Sequence, residues 1–148
     1  MRIGFIGLGT MGGAASLNLI RGGHQLTVCD LDLKRATKHL ELGAKWADTP
    51  SEAAKDVDIV FTMVFGPKQI EQIIRGENGL LHSMGPRQVW VDLTTNQPEL
   101  ARELAEEIID TGAIAIDAPV TGAVDGARNG NMTQFAGGDK ETIERIRP

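Results

Sequence analysis

A chain of 148 residues with a net charge of −5, two Trp, four Phe and no Tyr fits one domain with a real core. It excludes general nucleic-acid binding, which needs a cationic face and often stacking rings. No stretch reaches the ~18 uninterrupted apolar residues of a membrane span, no signal-peptide layout opens the chain at Met1-Arg2, and Cys29 is the single cysteine, so no membrane partner and no internal disulfide are expected, and a reducing, cytoplasmic compartment fits.

The first apolar run ends at once in glycines: Arg2-Ile3-Gly4-Phe5-Ile6-Gly7-Leu8-Gly9-Thr10-Met11-Gly12. A strand, a glycine turn and a helix in that order form the setting of a dinucleotide fingerprint. Gly7 allows the tight turn, Gly9 a close approach to pyrophosphate, and Gly12 the packing of helix on strand. The predicted helix from Met11 to Arg21 has a broad apolar face and stops at Gly22-Gly23. A second strand, Gln25 to Cys29, leads to Asp30. Asp32 is placed to cap a helix whose apolar positions are Ala36, Leu40 and Leu42, and Gly43 ends it.

A short third strand is expected at 44–47, a helix start at Thr49-Pro50-Ser51-Glu52 and a fourth strand at 57–64. A helix through Ile70, Ile73 and Ile74 follows, then a short segment at Leu80-Leu81 and a fifth strand at 89–93. The next helix carries Leu100, Leu104 and Ile108 on one face and most of its glutamates on the other. The sixth strand is 113–117. Residues 118–130 read as a glycine-rich loop, 131–136 as a last strand, Gly137-Gly138 as a turn and Asp139 as the cap of a final helix. The alternation predicts one α/β domain over 1–148, a doubly wound, mostly parallel Rossmann sheet with helices on both faces and the ligand at the carboxyl ends of the strands.

That rule selects five exit loops. The first, Gly7, Leu8, Gly9, Thr10, Met11 and Gly12, would hold pyrophosphate at a helix start. Asp30 would accept from the two ribose hydroxyls, and its charge would repel a 2′-phosphate, which favours NAD over NADP. Lys34 and Arg35 lie one turn later and read as solvated helix charges. Met63 and Val64 offer backbone and apolar walls, and Thr94 and Thr95 offer hydroxyls where a nicotinamide ring would lie. The histidines at 24, 39 and 82 stand apart, and no spacing resembles a metal site.

The sixth loop, Asp117-Ala118-Pro119-Val120-Thr121-Gly122-Ala123, carries a resemblance. With Gly4 to Gly12, Asn18-Leu19, Gly23-His24, Gly76-Glu77-Asn78-Gly79, 91–98 and Gly137-Gly138-Asp139, the chain resembles the β-hydroxyacid dehydrogenase family over its whole length. That family includes 3-hydroxyisobutyrate dehydrogenase and tartronate semialdehyde reductase. The resemblance implies that Gly7 to Gly12, Asp30, Met63, Val64 and Thr95 hold the cofactor. It implies that Thr121 and Gly122 hold a substrate carboxylate, with Ala123 beside them where the family usually has glycine. The parent reaction would be reversible oxidation of a small 3-hydroxy acid to its semialdehyde. The family's acid/base lysine and its all-helical second domain, which usually builds a homo-oligomer, have no counterpart in these residues. The chain alone is expected to bind NAD weakly, to turn over little or nothing, and to self-associate through uncovered apolar surface. The alternative is a cofactor-binding or interaction module without catalysis. A 6-phosphogluconate-type enzyme shares the fingerprint and would want a phosphate-binding set that is not found here.

Overall fold

The computed structural model describes residues 1–147. The strands are β1 (Arg2–Ile6), β2 (Gln25–Cys29), β3 (Lys45–Trp46), β4 (Ile59–Thr62), β5 (Val89–Asp92), β6 (Ile114–Asp117), β7 (Val120–Thr121), β8 (Thr133–Gln134) and β9 (Gly137–Gly138). The helices are α1 (Thr10–Arg21), α2 (Thr37–Glu41), α3 (Pro50–Ala53), α4 (Pro67–Arg75), α5 (Pro98–Asp110), α6 (Ala123–Asn129) and α7 (Lys140–Ile146). Seven strands form one sheet in the order β3-β2-β1-β4-β5-β6-β9. Every neighbouring pair is parallel except β6 and β9. The strand order reverses between β1 and β4, which creates a crevice at their carboxyl ends.

Both faces of the sheet are covered, and the strand period of two divides the core accordingly. Ile3, Phe5, Leu26, Val28, Ile59, Val89 and Val91 belong to one buried cluster. Ile6, Cys29, Val60 and Trp90 belong to the other, packed with Ile70, Ile74, Leu104 and Ile108 from α4 and α5. Full burial of such side chains contributes roughly 1.5–3 kcal/mol each. Cys29 behaves as one of these small hydrophobes, with burial pushing its thiol up to about 12. No helix among the described residues is long and apolar enough to cross a membrane.

The structure corrects three expectations. The expected helix after Asp32 is a 3-10 turn over Leu33–Ala36 followed by the short α2, with Asp32 capping at Lys34 N–H. Leu40 and Leu42 are 38% and 52% exposed, and the inward side is held by Ala36 and His39 instead. Residues 118–130 are more than a loop, because they contain β7 and α6. Gly137-Gly138 forms strand β9, antiparallel to β6, while β8 pairs with β7 in a separate ribbon.

His39 gives α2 its hold on α1. Its Nε2 lies 2.7 Å from Ser16 Oγ, which donates to the Gly12 carbonyl at 2.7 Å. Nε2–H therefore donates to Ser16, and Nδ1 remains a buried acceptor without a partner. Burial lowers the His39 pKa, because desolvation of the charged ring outweighs the favourable backbone carbonyls of Gly13 and Arg35. The unfolded chain thus binds this proton more readily than the folded one. Stability should be fully present above about pH 6.5, the ordinary histidine value, and be lost as pH falls through the lowered folded value. Urea unfolding between pH 7 and pH 5 should show a shallower loss for His39→Gln than for the natural chain. Equal slopes would contradict this role.

Candidate functional site

The exit loops of the sheet are laced together by hydrogen bonds just past the strands. Gly7 N–H donates to Cys29 O at 2.9 Å, Met63 N–H to Ile6 O at 3.0 Å, Leu93 N–H to Thr62 O at 2.8 Å, and Ala118 N–H to Asp92 O at 2.8 Å. Gly7 to Gly12, Asp30, Met63, Val64 and Thr95 consequently line one rim beside the β1–β4 crevice.

The three fingerprint glycines meet three different constraints. Gly7 adopts φ +99°, and a methyl there would strike the Met63 carbonyl oxygen. A methyl at Gly12 would strike the Gly7 carbonyl oxygen, so only glycine lets α1 lie this close to the turn. At Gly9 a methyl would meet nothing within 4 Å, so this side of the loop faces open space. Gly9 is also the N-cap of α1, where no side chain caps the helix and no acidic residue stands in the first turn. The N–H groups of that turn and the positive end of the helix dipole remain free for an anion. An open cradle of backbone donors fits the pyrophosphate of a dinucleotide. Around it Leu8 is buried, Met11 half-buried and Thr10 exposed.

Asp30 is turned toward this loop. Its Oδ2 accepts from Leu8 N–H at 2.6 Å and its Oδ1 from Asp32 N–H at 3.0 Å. Arg35 Nη1 lies 3.5 Å from Oδ1, and only 6% of the Asp30 side chain is exposed. Asp30 therefore shapes the fingerprint turn as well as placing a negative charge at its edge, a second task that spacing alone did not reveal. Lys34 stays exposed, whereas Arg35 contacts the Asp30 carboxylate.

On the other side of the crevice Met63 is buried and Val64 half-buried, with Val64 Cγ1 close against the Gly7 position. The two threonines divide. Thr95 is exposed on the rim, but Thr94 is 1% exposed and its Oγ1 accepts from Val64 N–H at 3.2 Å. Thr94 is thus a strut and not a crevice hydroxyl. Asp92, which the sequence reading had not singled out, stands behind it: Oδ1 accepts from Thr94 N–H at 3.0 Å and from Thr62 Oγ1 at 2.8 Å. Burial pushes the Asp92 carboxyl up to about 6. An acidic residue ending an otherwise apolar buried strand was the available clue.

Thr121, Gly122 and Ala123 are exposed where the chain leaves β7 and enters α6. Asn18 Nδ2 donates to Ala127 O at 2.7 Å, which ties α6 to α1 and brings this segment beside the fingerprint helix. Gly122 has φ +120° and Ala123 φ +51°. An open cleft of about 960 Å³ lies at the opposite end of the sheet among Arg2, Lys55, Asp58 and Arg87. It has neither the glycine loop nor a helix start, and Arg2 is paired there with Asp58 at 2.7 Å.

The sequence family described as the NAD binding domain of 6-phosphogluconate dehydrogenase matches residues 2–148. The 3-hydroxyisobutyrate dehydrogenase of Pseudomonas aeruginosa is 36% identical over 146 residues, which cover 99% of this chain and 49% of that protein. The chain spans about half the length of the curated relatives it matches. Among solved structures, Mycobacterium tuberculosis 3-hydroxyisobutyrate dehydrogenase with L-serine superposes with a TM-score of 0.91 at 31% identity, covering 99% of this chain and 50% of that one. Psf3, in complex with NADP+ and 2-OPP, gives 0.93 at 30% identity, covering 99% and 52%.

The positive φ at Ala123 yields a direct stability prediction. A side chain in the left-handed region costs roughly 1–2 kcal/mol, and the greater unfolded freedom of glycine offsets part of any relief. Ala123→Gly should raise unfolding free energy by up to about 1 kcal/mol, read by urea titration. A clear loss of stability would contradict the strained geometry.

Proposed function

The chain belongs to the family of the NAD-binding domain of 6-phosphogluconate dehydrogenase, and from that membership we propose that it is the cofactor-binding half of an NAD-dependent dehydrogenase acting on a small 3-hydroxy acid. The observation that carries this reading is the open cradle at Gly9, beside the uncapped start of α1. Thr10, Met11 and Gly12 N–H groups would hold the pyrophosphate there. Asp30 would keep the turn in shape through Leu8 N–H while its charge disfavours a 2′-phosphate, so NAD is preferred to NADP. Met63 and Val64 would wall the site, and Thr95 would meet the nicotinamide end.

When bound, the cofactor supplies the hydride acceptor. Oxidation of the hydroxy acid to its semialdehyde removes one hydride and one proton, and reduction returns them. In this reading Thr121 Oγ1–H and Gly122 N–H donate to the substrate carboxylate, and the tie from Asn18 to α6 fixes their distance from the cofactor loop. Charge-assisted hydrogen bonds of this kind orient a small acid without needing a fixed cation. No lysine among these residues stands in the glycine-rich setting that the family uses for proton transfer. The 148 residues by themselves should therefore bind cofactor and turn over little, while the full-length enzyme, a homo-oligomer, works on a hydroxy acid like 3-hydroxyisobutyrate. A cofactor-binding module without catalysis is the competing reading.

Fluorescence titration tests the proposal. NADH should bind more tightly than NADPH by about tenfold, consistent with one unfavourable charge contact. Asp30→Ala should weaken both nucleotides, because Leu8 N–H loses its acceptor, and should narrow the gap between them. Equal or tighter binding of NADPH to the natural chain would overturn the NAD preference, and absence of binding to either would overturn the cofactor reading.

A further inference from the structure

Behind the rim runs a buried polar chain that reaches no solvent. Trp90 Nε1–H donates to Thr62 Oγ1 at 3.0 Å, Thr62 Oγ1–H donates to Asp92 Oδ1 at 2.8 Å, and Thr94 N–H donates to the same oxygen at 3.0 Å. Thr94 Oγ1 then accepts from Val64 N–H at 3.2 Å. Trp90 and Asp92 are each 2% exposed, Thr62 0% and Thr94 1%. The chain begins in the core of β5 and ends on the backbone of the β4 exit loop. It also touches the next loop, since the Asp92 carbonyl accepts from Ala118 N–H.

A carboxyl group is a costly way to fill this position. Oδ2 is buried without a hydrogen-bond partner, and an apolar residue of similar size would satisfy the sheet equally well. The compensating property is direction. Oδ1 is the one acceptor that Thr62 and Thr94 share, so the β4 and β5 exits are held in one fixed relation by two hydrogen bonds converging on a single atom. Those exits carry Met63, Val64 and Thr95, and Val64 packs against Gly7.

We propose that Asp92 is a positioning residue for the nicotinamide end of the bound dinucleotide: through Thr62 and Thr94 it sets the spacing of the β4 and β5 exit loops. This rests on the cofactor reading above. The adenosine end belongs to Asp30 and the β2 exit, to which this chain makes no hydrogen bond; it meets the glycine loop only where Val64 packs against Gly7. Asp92 and Thr94 therefore act more strongly on the nicotinamide half of the ligand than on the adenosine half, a bias that general destabilisation would not produce.

The test compares NADH with ADP-ribose, which keeps the adenosine and pyrophosphate but lacks the nicotinamide ring. Asp92→Leu and Thr94→Val should each weaken NADH by about tenfold, the scale of one lost buried hydrogen bond, while ADP-ribose affinity stays within about twofold. Asp92→Asn and Thr94→Ser keep the required acceptors and should stay within about threefold of the natural chain for both ligands. Cooperative unfolding of each variant checks that it is folded, and Thr94→Val stands in if Asp92→Leu is not. Equal losses for NADH and ADP-ribose, no loss in either, or an Asp92→Asn as weak as Asp92→Leu would overturn the positioning role. Failure of the natural chain to bind either ligand would overturn the cofactor reading and this inference together.

Discussion

The closest constraint in the molecule is the approach of the first helix to the first strand. A methyl group at Gly12 would fall on the Gly7 carbonyl oxygen, and one at Gly7 on that of Met63. Removing two side chains lets three backbone segments meet where most proteins would place packing atoms. The free N–H groups of α1 are thereby brought to the edge of the β1–β4 crevice, where the strand order reverses. Asp30 depends on the same approach, since it reaches Leu8 N–H only because the turn is this tight. The Ser16 hydroxyl, seated on the Gly12 carbonyl, extends the constraint to His39 and α2.

The site is consequently a property of backbone more than of side chains. Its donors are helix-start N–H groups, and its walls are the exits of parallel strands. Acidic side chains serve this backbone in two ways. Asp30 orders the glycine loop after β1, and Asp92 orders the exits of β4 and β5. Both carboxylates accept chiefly from main-chain N–H groups, and Asp92 also from the Thr62 hydroxyl. Among the described residues the one ion pair to either is from Arg35 Nη1, 3.5 Å from Asp30 Oδ1. A chain with net charge −5 thus presents a locally positive helix start without a basic patch, because oriented peptide dipoles supply the potential.

Much of this was legible in the residues themselves. Near-continuous apolar runs located β1, β2, β4, β5 and β6, and glycine or proline punctuation located most helix ends, because burial on both faces and helix termination leave strong composition marks. The fingerprint was readable for the same reason: its glycines are demanded by contact distance. The segment 118–130 was not readable, since its helix starts at an Ala123 with positive φ, contains Gly126 and ends on the left-handed Gly130. Its stability comes from docking on α1, a tertiary effect that propensity does not encode. His39 and Asp92 were hidden for a related reason. Each is a polar residue buried by partners 23 to 30 positions away in sequence, Ser16 and Thr62, and no local pattern announces such a pairing. Thr94 and Thr95 show the limit most plainly, because two adjacent identical residues divide into a buried strut and an exposed rim hydroxyl.

Backbone NMR of the isotopically labelled chain during titration with NADH tests the central claim most directly. Saturable shifts should concentrate at Gly9 to Gly12, Asp30, Val64 and Thr95, along the carboxyl ends of the strands. Shifts centred instead on Arg2, Lys55 and Arg87, at the opposite end of the sheet, would contradict it.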